Sequence, residues 1–218
     1  MKLANLRGSL RIRLLMGTLC WISATIVLAG WGLGSLFRQH VAAQFQAELS
    51  NELSQLAAQL ALDQRGQAQL ALALSDPRLS RPYSGYYWQI DQIGDPVTAI
   101  LPVAGQLRSR SLWDHVLALP ADTPLDGEIH QHRIAGPQAQ MLGTVERSVR
   151  LEDAILGRPR TFRLIAAASE RFMAEPVARF NGLLWLALGV LAAGLMLAAV
   201  VQVVVGLAPL RTLRSALA

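Results

Sequence analysis

The 218-residue sequence predicts an α+β chain in which two transmembrane helices flank a mixed α/β domain built on an antiparallel sheet. Three observations carry this. Two long stretches hold no charged residue. Basic residues without acids crowd the outer flanks of those stretches, while every acidic residue lies between them. Across that interval the apolar spacing changes from three and four residues to strand-like alternation.

The first uncharged stretch, residues 14–37, lies between Arg13 and Arg38. As a helix it is roughly 36 Å long, enough to cross a hydrocarbon core of about 30 Å. It exceeds the apolar core of a cleavable signal, and only the poor small-residue candidate Val41-Ala42-Ala43 follows, so it reads as an anchor. The second stretch, residues 180–207, is most apolar from Leu183 to Leu207; a helix satisfies its own backbone in lipid and tolerates Gly182, Gly189 and Gly194. Gln202 is its one strongly polar side chain, which either hydrogen-bonds a second copy across a dimer or sits near the cytoplasmic interface without a role. Trp185 stands near an end, where interfacial aromatics gather.

Lys2, Arg7, Arg11 and Arg13 precede the first span, and Arg211 and Arg214 follow the second, with no acid in either flank. All 15 acidic residues fall between Arg38 and Arg179, where 14 arginines leave a net charge of −1. The positive-inside rule therefore predicts a multi-pass protein of the inner (plasma) membrane, in contact with its lipid and with both termini cytoplasmic. The expected organisation is a cytoplasmic N-terminus (1–13), a first span (14–37), an exported domain (38–179), a second span (180–207) and a cytoplasmic segment (208–218). The formal charge of +5 and pI near 10.3 thus mark topology and not nucleic-acid binding. A mean hydropathy of +0.33 with 16% charged residues excludes a disordered chain. The single cysteine, Cys20, excludes an internal disulfide framework.

Beyond the first span, Val41, Phe45, Leu49, Leu53, Leu56 and Leu60 recur at helical spacing among polar residues. This stripe packs either on its own domain or on a second copy, and the period allows both. A short helical piece is expected over 67–74, ended by Asp76-Pro77 and Arg81-Pro82. Strand character follows at 86–90, at 97–103 and 107–113 (one strand or two), at 127–134 and 139–151 as a hairpin, and at 161–168. Helix resumes at Glu170 and runs into the second span.

Near the C-terminus, Ala208-Pro209-Leu210-Arg211-Thr212-Leu213-Arg214-Ser215-Ala216-Leu217 places a proline at the membrane exit and leucines at coiled-coil spacing. It resembles the opening helix of a HAMP linker. The exported region carries Ser84-Gly85-Tyr86-Tyr87-Trp88-Gln89-Ile90 and Arg108-Ser109-Arg110-Ser111-Leu112-Trp113-Asp114, followed by Gly136-Pro137 and Val145-Glu146-Arg147. With these segments the chain resembles the input region of proteobacterial two-component sensor histidine kinases. That resemblance implies a PAS-like exported sensor domain and an unknown extracytoplasmic ligand. It also implies a homodimer, with Pro209, Leu210, Leu213 and Leu217 passing the signal on. A cognate response regulator would be reached through a kinase core that the chain lacks.

The chain itself shows no phosphoacceptor box around His40, His115, His130 or His132, and no phosphate-cradling glycine loop, since Gly30, Gly32 and Gly34 fall inside a span. It is therefore expected to be an input half, fragment or truncated product, without catalysis of its own. ATP and magnesium belong only to the missing kinase domain. Two other outputs fit the same topology: a chemoreceptor or cyclic-dinucleotide enzyme, and a stand-alone membrane binding or regulatory protein.

Within the exported region, Arg108 and Arg110 alternate with serines; on a strand their guanidiniums share one side, as a clamp for a carboxylate or phosphate or as partners of Asp91, Asp95 or Asp114. Tyr87 and Trp88 belong to an aromatic cluster that supplies either core or a ligand cage. Glu128, His130 and His132 also alternate, but spread along about 13 Å of strand they read as a polar face and no metal site is expected.

Overall fold

The computed structural model describes residues 10–94, 100–120, 127–153 and 157–206. It is α+β, with helices α1 (Leu10–Gln59) and α2 (Arg171–Gly206) and strands β1 (Leu60–Leu62), β2 (Ala68–Leu70), β3 (Tyr86–Gln92), β4 (Val103–Arg108), β5 (His130–Ala135), β6 (Met141–Asp153) and β7 (Arg158–Ser169). The chain divides into two compact units, Met1–His40 with Pro176–Ala218, and Val41–Glu175.

In the first unit α1 and α2 pack antiparallel. Phe37 stacks on Phe180 with ring centres 4.0 Å apart. Farther along, a Cβ on Gly30 would come within 2.8 Å of Leu188 and of the Trp185 ring, so glycine permits the close approach. Both helices are long and apolar enough to cross a membrane. Trp31 and Val190 are about seven-tenths exposed, at 72% and 71%, where the core helix of a soluble protein would bury them.

In the second unit β3 to β7 form a five-stranded antiparallel sheet in the order β4-β3-β7-β6-β5, and β1 and β2 form a separate hairpin. The register pairs Tyr86 with Ala168, Ile90 with Leu164 and Val145 with Ala166. Because side chains alternate along each strand, these residues share one face. There Leu49, Leu53 and Leu56 of α1 close over Tyr86, Ile90, Phe162, Leu164 and Ala166. The helical stripe is thus spent on its own sheet. On the opposite face Tyr87, Ile134, Leu142, Ile165 and Ala167 pack with Leu112 and Leu117 from the segment after β4.

Three expectations change. Residues 67–74 hold strand β2 and no helix, and Leu60 opens β1 instead of continuing α1. The Asp63 carboxylate accepts the N–H groups of Arg65 and Gln67 at 2.8 Å each, and Gly66 takes φ +74°, which closes a hairpin turn. The strand pattern over 107–113 stops at Arg108, and Arg110–Leu112 is a 3-10 turn. The hairpin strand expected from 127 begins only at His130. Residues 95–99 and the HAMP-like positions Pro209, Leu210, Leu213 and Leu217 lie outside the described residues.

Candidate functional site

The turn after β4 is sewn to the sheet by its two serines. Ser109 N–H donates to the Trp88 carbonyl at 2.9 Å, and Trp88 N–H donates to Ser109 Oγ at 3.1 Å. Ser111 Oγ donates to the Tyr86 carbonyl at 2.6 Å and lies 2.8 Å from Ser109 Oγ. Tyr83 N–H donates to the Ser111 carbonyl at 2.8 Å. Both serines are buried and satisfied, as buried hydroxyls must be. Leu112 follows into the core, and Trp113, at φ +55°, turns the chain outward.

Arg108 and Arg110 therefore point outward while the serines point inward, although the alternation is that of a strand end and a 3-10 turn and not of one strand. Arg108 Nη1 reaches the His115 carbonyl at 3.5 Å, and the Arg110 guanidinium lies 5.9 Å from the Trp113 ring centre. The aspartates considered as their partners are engaged otherwise. Asp114 accepts from Tyr83 Oη at 2.9 Å and meets His115 Nδ1 at 2.8 Å, contacts that hold its carboxyl below the usual range. Asp91 faces the sheet interior, and Asp95 is outside the described residues.

Tyr87 and Trp88 are consecutive strand residues and so occupy opposite faces. Tyr87 is buried, its hydroxyl accepting from Gln140 Nε2 at 2.7 Å and from Gly85 N–H at 3.2 Å. Trp88 packs against the leucine cluster under α1. They do not form one cage.

Beneath the turn, the face that carries Leu112 and Leu117 changes character along the strands. Its polar end collects Gln89 and Asp91 of β3, His132 of β5, Glu146 of β6 and Arg163 of β7, from four different strands. Gln89, fully buried, grips the backbone of Leu117: its Oε1 accepts the Leu117 N–H at 2.7 Å and its Nε2 donates to the Leu117 carbonyl at 3.0 Å. The same Nε2 donates to Asp91 Oδ1 at 2.8 Å, which also accepts the N–H of Gly105 at 2.6 Å. Burial pushes the Asp91 carboxyl up, against the pull of Gly105, Gln89 and Arg163; the nearby Glu146 charge adds to the rise.

Glu146 is the most enclosed charge of the set, 1% exposed. His132 Nε2 is 3.1 Å from its Oε1. Arg163 Nε is 3.5 Å from its Oε2, near enough for attraction but too poorly aligned for a hydrogen bond, so that Oε2 and that Nε both lack a hydrogen-bond partner. Glu128 precedes β5, while His130 lies within it, in register with Glu146. Among the described residues no group of three His, Cys, Asp or Glu side chains is placed to hold a metal ion.

On the other side of the sheet a groove of about 450 Å³ opens between α1 and β5–β6. Ala42, Phe45, Leu49, Val145 and Met173 supply its apolar wall, and the Gln46–Gln131 bond and the Arg133–Glu170 ion pair its rim.

Compared with protein-family models, curated proteins and solved structures, the chain matches none. What sequence reading missed was the convergence of Gln89, Asp91, Glu146 and Arg163. The local signal was present in Trp88-Gln89-Ile90-Asp91, where polar residues alternate with apolar ones in a strand whose both faces turn out to be covered.

Proposed function

We propose that this chain is the sensing and membrane-anchoring input region of a two-component sensor histidine kinase. The observation that carries it is where the domain begins and ends. Its core helix α1 carries the first apolar stretch, and its last strand β7 leads directly into α2, which carries the second. A change in the packing of the sheet therefore acts on the two helices suited to crossing the membrane. The spatial order of the five strands, second-first-fifth-fourth-third, with a helix across one face, supports a PAS-like sensor. The charge flanks support a periplasmic domain with both termini in the cytoplasm, and the leucines at 210, 213 and 217 support a homodimer relaying to a HAMP linker. A stimulus acts here only by differing in affinity for two packings of the domain.

The coding sequence after codon 218 tests the output. A phosphoacceptor helix followed by an ATP-binding domain is expected; a methyl-accepting coiled coil, a cyclic-dinucleotide domain or a stop codon overturns the kinase reading in favour of one of its rivals. Joining residues 1–218 to a HAMP-coupled kinase core in membranes tests the input. Autophosphorylation should change when Leu56→Ala loosens the domain, and output indifferent to that change overturns the sensor reading.

A further inference from the structure

We propose that Arg78 couples α1 to α2 within this domain, through a chain of contacts that runs from Glu48 to Arg78, Tyr86 and Phe172. The inference rests on the sensor reading above and names the route by which a movement of one helix reaches the other. The route begins in the local sequence. Asp76 caps the 3-10 turn Pro77–Ser80: its Oδ1 accepts the Arg78 N–H at 2.8 Å, and its Oδ2 accepts from Arg78 Nε at 2.8 Å. The guanidinium is thus tied to its own turn. From there Nη2 donates to Glu48 Oε1 of α1 at 2.6 Å, and the guanidinium carbon lies 3.6 Å from the centre of the Tyr86 ring on β3. A planar cation at that distance is drawn to the ring face.

Tyr86 carries the contact onward. Its ring centre is 4.6 Å from that of Phe172, in the first turn of α2. Gly85, at φ +92°, makes room for this approach, since a Cβ there would stand 2.8 Å from the Phe172 ring. Ser169 N–H donates to the Gly85 carbonyl at 2.7 Å, so the end of β7 is fastened at the same place. The kinds of contact decide what is passed on. The leucines of α1 meet the sheet through apolar surface, which resists separation but has little preference of direction. The Glu48–Arg78 bond has a direction, so a slide or rotation of α1 either draws the guanidinium with it or breaks the bond. A guanidinium that follows α1 leaves the Tyr86 face, because Asp76 holds its turn in place. Both side chains of the Glu48–Arg78 pair are 42% exposed, so the bond breaks and re-forms at small cost, as a switch requires.

The test is amide hydrogen exchange of the full chain in lipid nanodiscs, read at Met173 and Ala174, whose N–H groups bond the Glu170 carbonyl at 3.1 and 2.8 Å at the start of α2. Glu48→Gln, a change on α1, should speed exchange at both amides about threefold, within the range of coupling inside one network. Arg78→Lys keeps the charge but not the flat contact with Tyr86 and should do the same. In an Arg78→Met background Glu48→Gln should add nothing. Unchanged exchange at Met173 and Ala174 in Glu48→Gln, or the same threefold step in the Arg78→Met background, overturns the proposal. Equal acceleration at Leu164 in the central strand β7 signals general loosening and overturns it too. Exchange is read on this chain alone, so failure of the link leaves the sensor reading standing, and an unresponsive kinase fusion counts against the sensor reading and not the link.

Discussion

On one face of the sheet Leu49, Leu53 and Leu56 close over Ile90, Phe162 and Leu164, with the buried Asp153–Arg160 ion pair at the far end of β6 and β7; on the other, Leu112 and Leu117 cover an apolar half that gives way to Gln89, Asp91, Glu146 and Arg163. The same strands build both. The α1 face is held chiefly by apolar contact, which is tolerant of direction, and keeps its charges at the margin, where Arg78 joins Glu48 and Asp76. The opposite face is held partly by hydrogen bonds and charges, whose worth depends on alignment and protonation. A domain that must keep its fold and yet respond has reason to separate these two kinds of cohesion.

The largest effect should come from the α1 face. Leu56→Ala, at a fully buried position, should cost about 2–5 kcal/mol through lost contact and the cavity left behind. Urea unfolding of the full chain in detergent, followed by tryptophan fluorescence, measures it. A loss under 1 kcal/mol would mean that α1 does not seal this core. Next is Gln89→Ala on the opposite face, which strands the N–H and carbonyl of Leu117 and should cost about 1–3 kcal/mol. Exchange at Leu117 should accelerate while amides of α1 near Leu53 stay protected; equal acceleration of both would erase the distinction between the faces.

Acid sharpens the comparison, because the two sides respond with opposite sign. Beside α1, Asp76 is paired with Arg78, which also meets Glu48 and stacks 3.6 Å above the Tyr86 ring centre. The hydrogen bonds from Arg78 hold Asp76 below the usual carboxylate range, so its contribution is present above that range and is lost as pH falls through the lowered value. Asp91 is raised by burial; its contribution is full below the ordinary carboxylate range and is lost as pH rises through the raised value. Asp76→Asn should flatten the acid side of the stability profile and Asp91→Asn the less acid side, in melts across pH 3 to 7. The smallest effect belongs to Arg110→Ala. With its guanidinium exposed and 5.9 Å from Trp113, thermal stability should move by no more than about 0.5 kcal/mol.

The part of the fold that rests on one helix's period was readable in advance. Spacing placed Phe45, Leu49, Leu53 and Leu56 on a single stripe, although it left open whether a sheet or a second copy would cover them. Local turn chemistry decided what the period could not: Asp63 and Gly66 make a hairpin where a short helix was expected, and Ser109 with Ser111 end a strand that alternation alone would have continued. The charged cluster lay beyond any local reading. Asp91, His132, Glu146 and Arg163 meet only after four strands have been ordered, so their proximity is a property of topology. Tyr87 and Trp88, adjacent in the chain and so suggestive of one aromatic surface, are parted by the pleat.

The inward serines and outward arginines of the turn after β4 also bear on how such a protein can diversify. Ser109 and Ser111 fix the backbone from within, so Arg108, Arg110 and the exposed Trp113 ring contribute little to holding it. Their replacement changes what the surface offers to its surroundings while the architecture that presents it is inherited intact. A lineage can thereby explore new chemistry on the outside of this turn in single steps, each one passing through a folded ancestor.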